Sequence, residues 1–268
     1  MNDDRQVQGY ALMLDAVAKR KPAETTARQV AELWQAQREA DEGCATAAKA
    51  FLDSEHLAPA LVWQRARLAM ETGRIRAVTQ AVSMIDADAV PTVNAIQANP
   101  AKYLDEKITA IRPRTKELVT LAIIKLADNS PDAAAQEMDH TRWKAQLTQE
   151  ERSWLWGVIG KRAAQKLQDN ALVYFANGQD SLMHSDHLAW KARAGLRAGA
   201  WGHVRDAIAA MGEAQRSEPV WVYWRARALQ ALKVPDAMAA IAQARVLYES
   251  IASSRGFYEQ LALEELGR

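Results

Sequence analysis

Apolar residues recur three or four positions apart along almost the whole chain, with polar residues filling the gaps. The stretch Trp221-Val-Tyr-Trp-Arg-Ala-Arg-Ala-Leu229 illustrates the pattern. Trp221, Trp224 and Ala228 share one helical face, while Val222, Ala226 and Leu229 share an adjacent one. Two apolar faces predict a helix sandwiched between neighbours. Arg225 and Arg227 would then project toward its edges on packed aliphatic stems. No run alternates β-branched and polar residues as a half-buried strand would. The predicted class is all-α.

The breaks between helical runs carry helix-end chemistry. Ser130-Pro131-Asp132 offers a capping hydroxyl followed by proline at the first helical position. Thr148-Gln-Glu-Glu151 reads as a capping box ahead of Trp154. Pro22, Pro59, Pro113 and Pro219 precede amphipathic runs, where a missing N–H costs least. Gly73, Gly178 and Gly199 fall where helices should stop. Breaks every ~12–20 residues predict helices of three to five turns joined by short turns. With no Gly/Ser-rich or Pro-rich linker, residues 1–268 read as one continuous α-solenoid of short antiparallel helices.

An internal echo sharpens that reading. Trp190-Lys-Ala-Arg-Ala194 returns as Trp224-Arg-Ala-Arg-Ala228, 34 residues later, the period of tetratricopeptide-type helix pairs. Trp63-Gln-Arg-Ala-Arg67 is a looser copy, and a stop position follows each alanine at Gly73, Gly199 and Lys233. The small alanine lets a neighbouring helix approach and the tryptophan fills the space between layers. The full consensus is missing, so the repeats are degenerate and tetratricopeptide-like. Trp221 and Tyr223 fall outside the echo, which makes them the place to look for local specialisation.

Composition fits a folded chain, with 49% hydrophobic and 25% charged residues among 268. The net charge of +1 disfavours a nucleic-acid partner. Cys44 is the single cysteine and reads as a small buried apolar residue. The longest strongly apolar run, Leu118 to Ile124, is far short of the ~20 residues of a membrane span and belongs to a core. The start Met1-Asn-Asp-Asp-Arg5 has neither a basic region nor an apolar signal core. Either the protein is cytoplasmic, or a signal has been removed and Met1 is not native.

Candidate chemistry is sparse. The sequence holds no phosphate loop, nucleophile elbow or HExxH pair. The histidines are His56, His140, His184, His187 and His203. His184 and His187 have the spacing to share a metal, but Ser185-Asp186 between them reads as a helix start and no further ligand completes a motif. Glu150-Glu151, Glu264-Glu265 and Asp3-Asp4 are paired carboxylates in polar helix ends, where acids are solvated, whereas a glycosidase acid needs burial to raise its pKa. Arg67, Arg193 and Arg227 recur at one repeat position, as bridges between helices or as a lining that faces a partner. Trp143, Trp154 and Trp156 read as interlayer core, with a sugar-stacking surface as the alternative. No catalytic, cofactor-binding or metal-binding residue is assigned, and no cofactor is expected.

One order of motifs carries a resemblance. It runs from Leu147-Thr-Gln-Glu-Glu-Arg-Ser-Trp-Leu-Trp-Gly157 through Leu188-Ala-Trp-Lys-Ala-Arg-Ala-Gly-Leu-Arg-Ala-Gly199 and Trp221–Leu229. Arg245-Val-Leu-Tyr-Glu-Ser-Ile-Ala252 and Gly256-Phe-Tyr-Glu-Gln-Leu-Ala-Leu-Glu-Glu-Leu-Gly267 complete it. This series resembles the non-catalytic superhelical region of the soluble lytic murein transglycosylases, most closely over residues 128–268. In that family a lysozyme-like catalytic domain follows, marked by Glu-Ser and a downstream Gly-Ala-x-Gly-Leu-Met-Gln. Here Glu249-Ser250 is followed by Ile-Ala-Ser-Ser-Arg-Gly-Phe-Tyr, and Gly-Leu-Met-Gln is absent, so Glu249 receives no catalytic role. The chain ends where the family would continue, so an excised fragment or a truncated member is expected.

The resemblance implies a periplasmic parent that cleaves the bond between N-acetylmuramic acid and N-acetylglucosamine in peptidoglycan, leaving a 1,6-anhydro end. The present segment would be a non-catalytic scaffold. Its partners would be the glycan strand, the missing catalytic domain or other cell-wall proteins, with no membrane span. The competing expectation is a free-standing helical-repeat adaptor for a protein or peptide.

Overall fold

The computed structural model describes residues 4–18, 20–232 and 237–268. Among the described residues it is all α-helix with short 3-10 turns and no strand. The first nine helices are α1 (Asp4–Val17), α2 (Ala23–Gln35), α3 (Glu42–Asp53), α4 (Pro59–Glu71), α5 (Ile75–Ile85), α6 (Val90–Ala98), α7 (Pro100–Asp105), α8 (Pro113–Asn129) and α9 (Pro131–Met138). They continue as α10 (Thr141–Gln146), α11 (Gln149–Gln165), α12 (Ala171–Ala176), α13 (Ser185–Ala198), α14 (Trp201–Ala210), α15 (Glu213–Arg216), α16 (Pro219–Ala231), α17 (Ala237–Ile251) and α18 (Phe257–Glu265). Several are shorter than the three turns expected, α15 having only 4 residues. The helices gather into two compact units, residues 1–146 and 147–268.

In the first unit α1, α2 and α3 pack on one another, α4 packs on α5 and α8, and α8 packs on α9, contacts between helices near in sequence as in a helical-repeat array. α8 is the central member, touching α4, α6, α7 and α9. Its apolar run accordingly disappears from solvent on every side, with Leu118 through Ile124 all buried. In the second unit α11 plays the same part against α12 and α13, and α13, α14 and α16 follow in series.

The helix starts follow from local chemistry. Ser130 accepts a hydrogen bond from the Ala133 amide at 3.2 Å, and Pro131 opens α9. Thr148 and Glu151 form the full capping box, the Glu151 amide reaching Thr148 Oγ1 at 3.1 Å and the Thr148 amide reaching Glu151 Oε2 at 2.6 Å. Pro59, Pro113 and Pro219 each begin a helix, while Pro22 caps α2 from one position earlier.

The helix ends share a device. After α13, Gly199 takes φ +64°, its amide bonds to Leu196 and the next amide bonds to Gly195. This is the Schellman ending, in which a left-handed residue turns two amides back onto the last carbonyls. Gly73 ends α4 identically at φ +69°. Glu55 and Leu167, at φ 61° and 58°, make the same pair of bonds without glycine. Gly178 does not: its φ is not positive. It is glycine because a Cβ there would lie 2.6 Å from Met183 Cε and 3.1 Å from Trp156 Cβ. The third expected stop, Lys233, lies outside the described residues.

The sequence echo maps onto equivalent positions. Ala66, Ala192 and Ala226 each fall in the middle of their helix, α4, α13 and α16, and all three are fully buried. α16 is sandwiched as its two apolar faces require. Trp221 and Ala228 join the core made with α13 and α14. Tyr223, Ala226 and Leu229 join the core made with α17 and α18, and Trp224 touches both.

Candidate functional site

The recurring arginines occupy one position in the array and reach forward to the next layer. Arg67 on α4 forms a two-pronged ion pair with Glu117 on α8, at 2.9 Å from Nε and 2.8 Å from Nη2. Only 2% of its side chain is exposed, so the pair is a buried clasp. Arg193 on α13 lies over its own helix's Trp190 and over Trp221 of α16, 5.1 and 5.3 Å from the ring centroids. Arg227 on α16 pairs with Glu265 of α18. All three bridge helices.

The tryptophans singled out for stacking are interior. Trp143 has 0% exposure, and Trp154 and Trp156 are buried too. The Trp143 indole N–H donates to Glu137 Oε1 at 2.5 Å. That same oxygen accepts from Arg142 Nη2 at 2.8 Å and meets His140 Nδ1 at 3.2 Å. Burial pushes the Glu137 carboxyl up, but the bonds from Trp143, Arg142 and His140 outweigh it and hold the group below the usual carboxylate range. Trp221 and Tyr223, the positions outside the echo, are also buried.

His184 and His187 lie together around Trp154, with ring centroids 5.7 Å apart and each about 5.5 Å from the indole. His184 Nδ1 accepts from the Asp186 amide at 3.3 Å and so caps α13. His187 is wholly buried in the seam between α11 and α13. Glycine at 157 makes that room, because a Cβ there would lie 2.5 Å from the imidazole. Lys161 reaches from α11 to Asp186 at 2.6 Å and locks the same seam. Among the described residues no three metal-ligating side chains converge. His56 binds its local backbone at Ser54, 2.8 Å away.

The paired carboxylates separate by environment. Glu151 is consumed by its capping box. Glu264 is exposed, and Glu265 takes the Arg227 ion pair and the Tyr223 hydroxyl at 3.4 Å. Asp3 lies outside the described residues. Glu249 is exposed near the end of α17, paired with Arg245 one turn back at 3.2 Å. A carboxylate so placed lacks the apolar enclosure that a general acid requires. Cys44 is buried, which pushes its thiol up to about 11, despite a hydrogen bond from Gln37 and the nearby Arg65.

Among the described residues, open grooves mark the first unit. One of about 500 Å³ runs between α3 and α5, edged by Glu42, Lys49, Asp53, Gln80 and Ser83. Another of about 480 Å³ lies between α1 and α2. A second kind of surface was not legible in the repeat pattern: a run of partly exposed rings, Trp201, Trp224, Tyr258 and Phe257, crosses α14, α16 and α18.

This architecture has solved counterparts. The lytic transglycosylase Slt from Pseudomonas aeruginosa, as an inactive mutant, aligns with 100% of the chain at 20% identity and a TM-score of 0.55. The 70-kDa soluble lytic transglycosylase Slt70 of Escherichia coli aligns with 98% at 18% identity and a TM-score of 0.54. The 70-kDa soluble lytic transglycosylase in complex with bulgecin A aligns with 100% at 19% identity and a TM-score of 0.53. In each case the chain spans 42% of the neighbour's length. The chain therefore shares the all-α helical-repeat fold of part of the soluble lytic transglycosylases. No protein-family model matches the sequence, and no curated protein matches it.

Proposed function

We propose that residues 1–268 act as one non-catalytic, tetratricopeptide-like superhelical scaffold of a lytic murein transglycosylase. The likeness to the soluble lytic transglycosylases over the whole chain, but over 42% of theirs, carries the reading. The chemistry then belongs to a domain outside these residues. There a glutamate acts first as acid and then as base, and the muramoyl 6-hydroxyl attacks to leave a 1,6-anhydro end. The exposure of Glu249 and the consumption of Glu151 and Glu265 by structural bonds support a segment without its own acid. The scaffold holds the glycan strand or the catalytic domain in place, and a periplasmic location follows from that substrate.

The test is a digest of purified peptidoglycan. Residues 1–268 should release no anhydro-muropeptides by mass spectrometry, while the product of the complete gene should release them. Release by the 268-residue chain overturns the non-catalytic assignment. The open groove between α3 and α5, with its mixed charges, favours a second reading as a peptide-binding adaptor. A reading frame that continues past Arg268 into Glu-Ser and Gly-Leu-Met-Gln decides against it, and a stop codon there decides for it.

A further inference from the structure

α1 meets the array through a close backbone crossing. It packs on α2 and α3, and Gly9 and Gly43 face each other where it crosses α3. A Cβ on Gly9 would lie 2.8 Å from the Cys44 amide nitrogen, and one on Gly43 would lie 2.5 Å from the Gln6 carbonyl oxygen. Glycine on both helices is what lets them come so near. The bulky residues of α1 are left on another side. Val7, Leu14 and Val17 are 63%, 63% and 77% exposed, and Tyr10 is 42% exposed.

These four stand at i, i+3, i+7 and i+10, the a and d positions of two heptads, and so form one stripe along the helix. Exposed Ala11 and Ala18 widen it on the same side. Its intervals of three, four and three read the same in both directions. Two such helices packed antiparallel, with a two-fold axis at the level of residue 12, set Val7 of one copy against Val17 of the other. Tyr10 falls against Leu14 in the same way. A two-fold interface demands this property, since residue i must meet j while j meets i. The exposed Met238, Ile241 and Val246 of α17 lack it, their intervals being three and five. A lipid surface is a poorer match, because it calls for Lys and Arg along the polar side. From residue 6 to residue 17 the polar side offers Gln6, Gln8 and Asp15, and Asp15 is held by Arg20 at 3.3 Å and Lys21 at 3.6 Å.

We propose that α1 is a self-association helix, through which two copies of this chain join by an antiparallel α1–α1 contact built from Val7, Tyr10, Leu14 and Val17. The contact takes all four residues of each copy out of water, in layers of a against d. It is short, so the dimer exchanges with monomer at about micromolar concentration instead of being obligate. Self-association neither needs nor excludes the scaffold role.

The test is sedimentation velocity of the 268-residue chain over a concentration series, which should show reversible monomer–dimer exchange. Leu14→Glu should raise the dissociation constant about ten-fold or more, because each dimer loses two leucines and gains two charges. Leu14 is exposed in the single chain, so the circular dichroism melt should stay in place. Val173→Glu, equally exposed on α12, should leave the dissociation constant unchanged. Cysteines read the direction of pairing, with Cys44 buried and out of the chemistry. A short bis-maleimide should join Val7→Cys chains to Val17→Cys chains in a mixture. Neither variant alone should be joined, because like positions lie about 15 Å apart along antiparallel helices. A monomer at every concentration means that some other surface covers the stripe, and it overturns the proposal. So does a dimer that Leu14→Glu leaves intact, or cross-linking of either variant to itself as fast as to the other.

Discussion

Glu137 stays ionised while buried because three donors converge on one of its oxygens. A carboxyl depressed in the folded state adds stability above its unfolded value of ~4.3, and that stability is lost as pH falls through the lower folded value. Glu137→Gln should therefore cost about 1–3 kcal/mol at pH 7, since it weakens charge-assisted bonds at a buried site. The gap between variant and parent should narrow on acidification below pH ~4. Urea melts at several pH values measure both, and a gap independent of pH would refute the account. Cys44 gives a second check. A buried thiol raised to about 11 should resist a thiol reagent at pH 8 in the folded chain and react at once in denaturant. Rapid native labelling would contradict its burial. Its apolar character was legible from its isolation in the sequence. The Glu137 network was not, because nothing local says that Trp143 will turn its N–H inward.

Helix starts were readable residue by residue, since Ser130, Thr148 and the N1 prolines act within their own turn. Helix ends were readable only where glycine marked them. Glu55 and Leu167 adopt the same left-handed turn because the next helix must begin there, a tertiary demand with no local sign. Leu167→Gly should relieve that strain and raise stability by up to about 1 kcal/mol, read as a shift in urea midpoint. A loss would mean that the leucine side chain contributes more than its backbone costs. Gly157→Ala should do the opposite. Its Cβ would sit 2.5 Å from His187, a close-packed site where overpacking costs about 1–3 kcal/mol. An unchanged melt would show that the seam between α11 and α13 yields easily.

Over the whole molecule, the all-α class and the repeat architecture were visible in the sequence because Ala192 and Ala226 serve the same purpose in consecutive pairs. The aromatic row was hidden for the converse reason. Which tryptophan is covered depends on the helices laid beside it, and Trp190, Trp201 and Trp224 differ little in their local patterns from Trp154 or Trp221. The two compact units each hold their own core. Residues 147–268 produced alone should therefore keep a helical circular dichroism spectrum and a cooperative melt. A featureless spectrum would show that this unit's core depends on residues outside it.

α16 lends one face to each of two cores. Its amides can meet solvent only when both cores open, so deuterium uptake there should be slower than in α17, whose outer face carries the exposed Met238, Ile241 and Val246. A polar group placed at Trp224, the residue that touches both cores, would disturb both neighbours at once. It should speed isotope uptake in α14 and in α18 together, the kinetic signature of a party wall.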